Sequence, residues 1–237
     1  MGRHRLRIAT LCLAAVIGLA GAGMSGAAHA GHAEFFRGHV FPYYDRGPLE
    51  DQLEIIEREY ELVAIDAWSG FASVVELGIS EEVLWTAVRG RIGLAVTNRR
   101  ALSIVPASSG WQEREFRPNE SGPERIVLGD RVALVITDRR VLAVDGMSGN
   151  WSQSDLGPRE RVLSAAAGTN VAVAVTRTRV IGTAAGFGGL YEEDLGIREE
   201  AQALRVHGSF ATVTTRRRFL TFRGNDASWQ STEPSLR

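Results

Sequence analysis

Lysine is absent from this 237-residue sequence, and its single cysteine is Cys12. Without lysine, Schiff-base chemistry and the lysine of a phosphate-binding loop are excluded. Beyond residue 30 the chain has no cysteine, which excludes a disulfide, a thiol nucleophile and a cysteine metal ligand there. The histidines in that part, His32, His39 and His207, have no carboxylate cluster beside them at metal-ligand spacing. We therefore expect no cofactor, no metal site and no enzymatic activity.

The first thirty residues have the three parts of a secretory signal. Three arginines lie within residues 3–7, an apolar run covers residues 8–22, and residues 28–30 form an A-x-A cleavage site. A membrane-spanning helix is the alternative, but small residues interrupt the run after Gly18, and a span needs about twenty apolar residues. The sequence therefore predicts a signal peptide over residues 1–30, a periplasmic or secreted protein, and no membrane insertion once the signal is removed.

The charge of the chain is close to balanced. The formal net charge is −1, and removal of the signal arginines makes it about −4. A mildly acidic chain is not typical of a general nucleic-acid-binding protein. We expect no nucleic-acid partner.

A motif of the form Thr-x-x-Arg recurs at intervals of 40, 39 and 39 residues. Each copy follows an apolar run, and fourteen residues after each threonine stands an aromatic or aliphatic residue. The four motifs span residues 97–100, 137–140, 176–179 and 215–218, and the later residues are Trp111, Trp151, Leu190 and Trp229. A fixed period of this length is typical of repeat architectures.

A fifth, weaker copy lies upstream. Residues 63–70, VAIDAWSG, match residues 142–149 two periods later, which places a strand over residues 53–57. The alternative is a helix behind Pro48, because apolar residues between positions 49 and 63 also fall at helical spacing. We favour the strand because the register of the repeat continues through it.

Each period contains about four strand-like runs, represented by residues 132–137, 140–145, 151–155 and 161–166. In the first of these runs, large apolar residues alternate with small apolar ones, so both faces are expected to be covered. Four short strands per 39–40 residues resemble a generic β-propeller blade. The resemblance implies an all-β, five-bladed β-propeller over residues 49–237. A linear β-solenoid and a two-sheet barrel are the alternatives.

Residues 31–48 precede the first copy and are rich in aromatic side chains. A propeller must close its ring, or its end blades expose strand edges. We expect residues 34–44 to supply the innermost strand of the first blade or to close the ring against the last one. A flexible N-terminus is the alternative.

The arginine that ends each motif is the most regular polar feature of the sequence. These residues, Arg100, Arg140, Arg179 and Arg218, could bind an anionic glycan or a small anion on one face, because a guanidinium suits carboxylate, phosphate and sulfate. The structural interpretation is favoured. Acids occur at matching places (Glu81, Glu120 or Glu124, Glu160 and Glu199), and Arg–Glu pairs could join blade to blade.

Three residues break the repeat on the predicted inner strands. Trp85, Arg205 and His207 would approach a central channel and are therefore further candidates for ligand binding. A buried structural arrangement or simple solvent exposure is the favoured alternative. The motif threonines are expected to bond locally at the turn, and the tryptophans to pack over the edge of a blade.

Paired carboxylates of a glycosidase are not evident on the inner strands, which carry Ala, Val, Leu and Ser. The sequence therefore predicts an exported, monomeric protein-interaction or scaffold module with an unidentified protein partner. Binding of an anionic ligand is the alternative, and a glycan-processing enzyme is the weaker one.

Overall fold

The 39–40-residue repeat is folded as a series of antiparallel β-sheets. The computed structural model describes residues 50–106 and 108–233, which all belong to one compact unit, Gly31–Arg237. In chain order we call the sheets the first to the fifth. The first sheet consists of β1 (Leu53–Arg58), β2 (Glu61–Asp66) and β3 (Ala72–Glu76). The strand interpretation of residues 53–57 is therefore confirmed, and the helix alternative is wrong.

The remaining four sheets have four strands each, in the order of the chain. The second sheet is β4 (Val83–Arg89), β5 (Ile92–Thr97), β6 (Arg100–Ile104) and β7 (Gln112–Glu115). The third is β8 (Pro123–Leu128), β9 (Val132–Thr137), β10 (Arg140–Asp145) and β11 (Trp151–Asp155). The fourth is β12 (Ser164–Ala167), β13 (Val171–Val175), β14 (Arg179–Ala184) and β15 (Tyr191–Asp194). The fifth is β16 (Ala201–Val206), β17 (Phe210–Thr215), β18 (Phe219–Arg223) and β19 (Ser228–Thr232).

The second strand of each repeat explains how neighbouring sheets pack. In β9, Val132, Leu134 and Ile136 contact the fourth sheet, whereas Ala133 and Val135 contact the second. Successive side chains of a strand point to opposite faces. Large residues therefore fill the space towards the following sheet and small ones the space towards the preceding sheet. The prediction that this strand is covered on both faces is confirmed.

Apolar cores lie at four boundaries, one between each sheet and the next. Main-chain hydrogen bonds also join each sheet to the next one, at the turns that precede the second strand of the repeat. The amides of Gln52, Arg91, Arg131 and Asn170 donate to the carbonyls of Gly90, Asp130, Thr169 and Gly208, at 2.7–2.9 Å. Among the described residues no equivalent bond joins Ser209 to the first sheet.

The two ends of the series differ in polarity. In the fifth sheet the positions that face a following sheet elsewhere hold Phe210, Thr212 and Thr214 instead of aliphatic residues. This outer face thus has threonines at its centre, with the partly exposed Phe210 and Phe219 at its margins. The all-β repeat fold is confirmed, while closure into a five-bladed ring stays a prediction. The predicted signal, residues 1–30, and residues 31–48 lie outside the described part of the chain.

Neither described range contains an α-helix, and therefore no helix there is long and apolar enough to cross a membrane.

Candidate functional site

The Thr-x-x-Arg motif forms the turn between the second and third strands of a repeat. In the second sheet, Arg100 Nε and Nη2 donate to the two carboxylate oxygens of Glu81, at 2.8 and 3.0 Å. The hydroxyl of Thr97 donates to the same carboxylate at 2.8 Å and accepts the amide of Arg100. A two-point bond of this kind fixes the guanidinium in one orientation. The predicted local role of the threonine is confirmed in this copy.

The same triad is present in the third, fourth and fifth sheets. Its members are Thr137, Arg140 and Glu120; Thr176, Arg179 and Glu160; and Thr215, Arg218 and Glu199. Their Arg Nε–Glu Oε1 distances are 2.9, 2.9 and 3.0 Å. The sequence left open whether Glu120 or Glu124 pairs with Arg140, and the structure selects Glu120.

A tight turn positions each glutamate. The carboxylate of Glu199 accepts the amide of Gly196 at 2.7 Å, and the amide of Glu199 returns a bond to the carbonyl of Gly196. Burial alone raises the pKa of Glu199, but hydrogen bonds from Arg218, Gly196 and Thr215, together with the charge of Arg218, lower this pKa to about 2. The pKa of Glu160 is lowered to about 2 in the same way, by Arg179, Gly157 and Thr176 against its burial. Both glutamates are therefore anionic at neutral pH.

Each arginine also reaches the preceding sheet. Nη2 of Arg179 donates to the carbonyl of Asp155 at 2.6 Å, while Nη1 bonds Glu192 of its own sheet. Arg100, Arg140 and Arg218 donate likewise to the carbonyls of Glu76, Glu115 and Asp194. All three nitrogens of every motif arginine are thus engaged within the protein. Arg140 and Glu120 are buried, and the arginine bonds the preceding sheet through a main-chain carbonyl. The predicted Arg–Glu link between sheets is present at Arg218, which pairs with Glu193 of the fourth sheet at 2.9 Å.

The tryptophans provide a second bond between sheets. Trp111 Nε1 donates to the carbonyl of Ser73 in the first sheet at 3.2 Å, and Trp229 Nε1 donates to Tyr191 in the fourth at 2.9 Å. Trp151 packs on the core between the second and third sheets. The predicted packing role of the tryptophans is confirmed.

The other three candidate ligand-binding residues are divided between the second and the fifth sheets. Trp85 is on β4 and packs against the core between the second and third sheets. Arg205 is exposed on β16 of the fifth sheet. His207 is exposed in the turn after β16, where its ring stacks on Phe210 with 4.6 Å between centroids. Their predicted role in ligand binding stays a prediction.

The loops that enter the second to fifth sheets carry an apolar residue at the tip, which the sequence interpretation missed. Ile79 and Ile197 are 91% and 89% exposed, and Pro118 and Pro158 occupy the same position in the other two loops. A sequence signal existed, because the tip is the second residue of each four-residue turn that ends in the motif glutamate. Single exposed apolar side chains are common on protein surfaces, so it is their recurrence at equivalent tips on one side of the molecule that marks a candidate interaction surface. We call the side of the molecule that bears these tips and the motif turns the hairpin face.

Two clefts of about 670 and 690 Å³ open on the hairpin face. One lies between the turns of the second and third sheets and is lined by Arg99, Arg117 and Phe116. The other lies between the fourth and fifth sheets and is lined by Leu163, Ile197 and Arg198. Both linings combine apolar, basic and acidic side chains.

The loops and turns of the hairpin face expose more arginines than acids, while the strand ends beside them expose Glu76, Glu115, Asp155 and Asp194. Its turns and loops expose the arginines at positions 99, 117, 139, 159, 161, 177, 198, 216 and 217. The exposed acids in these same loops are Glu82 and Glu200, because the motif glutamates are occupied by the motif arginines. Within the described residues, no group of three or more histidine or carboxylate side chains is placed to hold a metal.

No protein-family model matches the sequence, and no curated protein matches it. Among solved structures the chain is similar to Prp20p from Saccharomyces cerevisiae, with a TM-score of 0.38, 9% identity, and coverage of 72% of this chain and 55% of that one. It is similar to the N-terminal domain of Nup159 with a TM-score of 0.33 and 10% identity, covering 77% and 58% of the two chains. For PorZ of Porphyromonas gingivalis, a surface component of the type-IX secretion system, the TM-score is 0.36 at 11% identity, covering 78% and 27%.

The chain thus spans a little over half the length of the first two of these proteins and about a quarter of the third. At these low TM-scores and identities, the likenesses assign neither a family nor an activity to this chain.

Proposed function

We propose that this chain is an exported, non-catalytic interaction module that binds a protein partner through the hairpin face. The observation that carries the proposal is the pair of isoleucines, Ile79 and Ile197, which stand almost fully exposed at equivalent loop tips. Apolar side chains that are grouped on one face and rimmed by polar residues mark protein–protein interaction sites. The sheets serve as rigid supports for these loops, in the manner of successive blades of a propeller.

The charges of the hairpin face indicate what kind of partner surface would bind there. In the loops and turns nine exposed arginines surround the apolar tips, against two exposed acids, and four further exposed acids lie at the adjoining strand ends. Complementary potentials increase association rates and exclude partners of like charge. The partner we propose is therefore a protein with an acidic surface that also presents apolar side chains. In this proposal the motif arginines stabilise the loops and do not contact the partner. Their side-chain nitrogens bind Glu81, Glu120, Glu160 and Glu199.

Capture from a periplasmic extract tests the proposal with three proteins. These are the wild type, the double variant Ile79→Glu/Ile197→Glu, and Met147→Glu as the matched control. Met147 is also an exposed apolar residue (51%), but it lies in a turn between the third and fourth strands, away from the motif turns. A partner that binds the wild type and Met147→Glu but not the double variant supports the proposal. Equal capture by all three proteins contradicts it.

The anionic-ligand alternative rests on the exposed arginines of the turns, such as Arg139 and Arg216. The double variant Arg139→Gln/Arg216→Gln should abolish binding of a sulfated glycan if this alternative holds. Such binding should also weaken steeply from low to high salt, because exposed charges are screened. Binding through the apolar tips should depend less on salt. Replacing the motif arginines does not separate these cases, because their loss disturbs the sheets themselves.

A further inference from the structure

The first sheet contains only three of the four strands of a repeat. By the register of the repeat, β1, β2 and β3 correspond to β5, β6 and β7 of the second sheet. In the other four sheets a first strand pairs with the second one, as β8 does with β9. Among the described residues, no strand pairs with the corresponding edge of β1. An unpaired strand edge is a template for the addition of another strand.

The main chain enters β1 as it enters the second strand of a complete sheet. The amide of Gln52 donates to the carbonyl of Gly90, and the amide of Ala67 donates to the carbonyl of Gln52, at 2.8 and 2.9 Å. Arg131 makes the same two bonds in the third sheet, with Thr169 and Gly146, at 2.9 and 2.8 Å. Asp51 and Gln52 therefore stand at the positions that, in the complete sheets, form the turn from a first strand to a second one.

The first sheet also lacks the side chains with which the other sheets bind a preceding sheet. Glu61 stands at the position of the motif arginine, Arg58 at that of the threonine, and Ala72 at that of the tryptophan. Glu61 instead pairs with Arg58 at 2.7 Å. No standard contact is therefore available for docking the fifth sheet here.

The outer face of the first sheet, turned away from the second sheet, is partly apolar. Ile56, Val63 and Val74 lie opposite one another across its three strands and form an apolar row. Val74 is 53% exposed, Ile56 is half-buried, and Val63 is buried without belonging to any of the four cores. Carboxylates lie on both sides of the row, at Glu54, Glu61 and Glu76.

We infer that the free edge of β1 and this apolar row are an intramolecular docking site for the aromatic segment within residues 34–44 of the same chain. The segment carries five aromatic residues and Arg37, and Arg46 follows it. These residues complement an apolar row with carboxylates beside it. The inference is independent of the hairpin face and of its partner.

Chain length permits this docking. Residues 45–52 connect the segment to β1, and eight residues span at most roughly 26–29 Å. A six-residue strand is about 20 Å long, so the segment can return along the whole of β1. The other occupants are less suited. The outer face of the fifth sheet bears Thr212 and Thr214 rather than an apolar row, and a second copy of the first sheet would place carboxylates against carboxylates.

Hydrogen exchange of the β1 amides tests the inference on the protein from Gly31 onwards. Alternate amides of a strand point to each of its two neighbours, so docking should protect the amides on the free edge. The triple variant Phe35→Ser/Phe36→Ser/Phe41→Ser should increase their exchange about tenfold or more relative to the β9 amides, which serve as an internal reference. The triple variant with leucine at the same positions should retain the wild-type rate.

Two surface variants locate the docking site. Val74→Glu, in the apolar row, should increase exchange of the β1 amides as the serine variant does. Phe219→Glu, on the outer face of the fifth sheet, should leave these amides unchanged. Equal exchange in the wild type and the serine variant overturns the inference. Protection that rises with protein concentration also overturns it, because a second copy would then be the occupant.

Discussion

Arg140 and Glu120 form a two-point ion pair that is almost completely buried, with 4% and 0% of their side chains exposed. The guanidinium also donates to the carbonyl of Glu115 in the preceding sheet. One arginine therefore fixes a loop, a turn and a boundary between sheets. Three further copies of this arrangement make it the main polar link of the series.

Replacement of Arg140 by alanine should destabilise the protein strongly, because it leaves the carboxylate of Glu120 buried without its counter-ion. Breaking a buried pair from one side costs about 3–5 kcal/mol. For a domain of this size each kcal/mol lowers Tm by roughly 2–4 °C, and thermal unfolding followed by circular dichroism measures the shift.

The control for this prediction is Arg139→Ala at the neighbouring turn position. The side chain of Arg139 is exposed, and its contact with Asp138 is 3.4 Å long, so the variant should change stability by less than about 0.5 kcal/mol. Equal shifts for the two variants would show that the buried pair contributes nothing.

Stability should fall as the solution is acidified from about pH 5 to about pH 2. The pKa values of Glu160 and Glu199 are lowered to about 2 in the folded chain, from an ordinary value near 4.5. A carboxylate with a depressed folded pKa contributes stability above its unfolded pKa and loses it as the pH falls through the folded pKa. Urea unfolding at pH 7, 5 and 3 measures this loss. The double variant Glu160→Gln/Glu199→Gln should be less stable at pH 7 but show a flatter profile, and a profile as steep as that of the wild type would refute the assignment.

Gly129→Ala should destabilise the boundary between the third and fourth sheets. A Cβ atom at Gly129 would lie 2.1 Å from the carbonyl oxygen of Gly168, and this oxygen belongs to a main chain that cannot move aside cheaply. Forcing extra atoms into a packed site costs about 1–3 kcal/mol. At Gly157 the nearest atoms would be 3.6 Å away, so Gly157→Ala should be nearly neutral. Chemical denaturation of the two variants makes the comparison.

Much of the fold could be predicted from the repeat. The runs at residues 132–137, 140–145 and 151–155 coincide with β9, β10 and β11, because their apolar pattern and turn residues agree. The fourth run, residues 161–166, was placed too early, since β12 begins only at Ser164. Before β12 the chain forms a turn in which the carboxylate of Glu160 accepts the amide of Gly157. This turn delays the start of the strand.

The candidate site was predicted only in part. The spacing of the repeat correctly predicts that each motif arginine lies at the same end of a sheet as an acid. The sequence does not show how deeply these pairs are buried, and their burial is what makes them structural contacts. The apolar tips at Ile79 and Ile197 were missed because their only sequence signal is a shared position two residues before the motif glutamate, and two of the four tips hold proline instead. The threonines of the fifth sheet are visible in the sequence at positions 212 and 214, where the other copies have aliphatic residues. The sequence alone does not show that these positions face away from the fourth sheet, because that depends on how the other sheets pack.

The threonines of this last sheet make the most informative prediction about the ends of the series. Thr212 and Thr221 lie opposite each other on neighbouring strands of the outer face. The double variant Thr212→Val/Thr221→Val would give this face an apolar centre beside Phe210 and Phe219, which are 44% and 41% exposed. An exposed apolar sheet face promotes association, so sedimentation velocity should detect concentration-dependent oligomers. The variant with serine at both positions keeps the centre of the face polar and should sediment as the wild type does. If the valine variant instead stays monomeric and becomes more stable, the face is covered by another part of the chain, and the fifth sheet is not an open end.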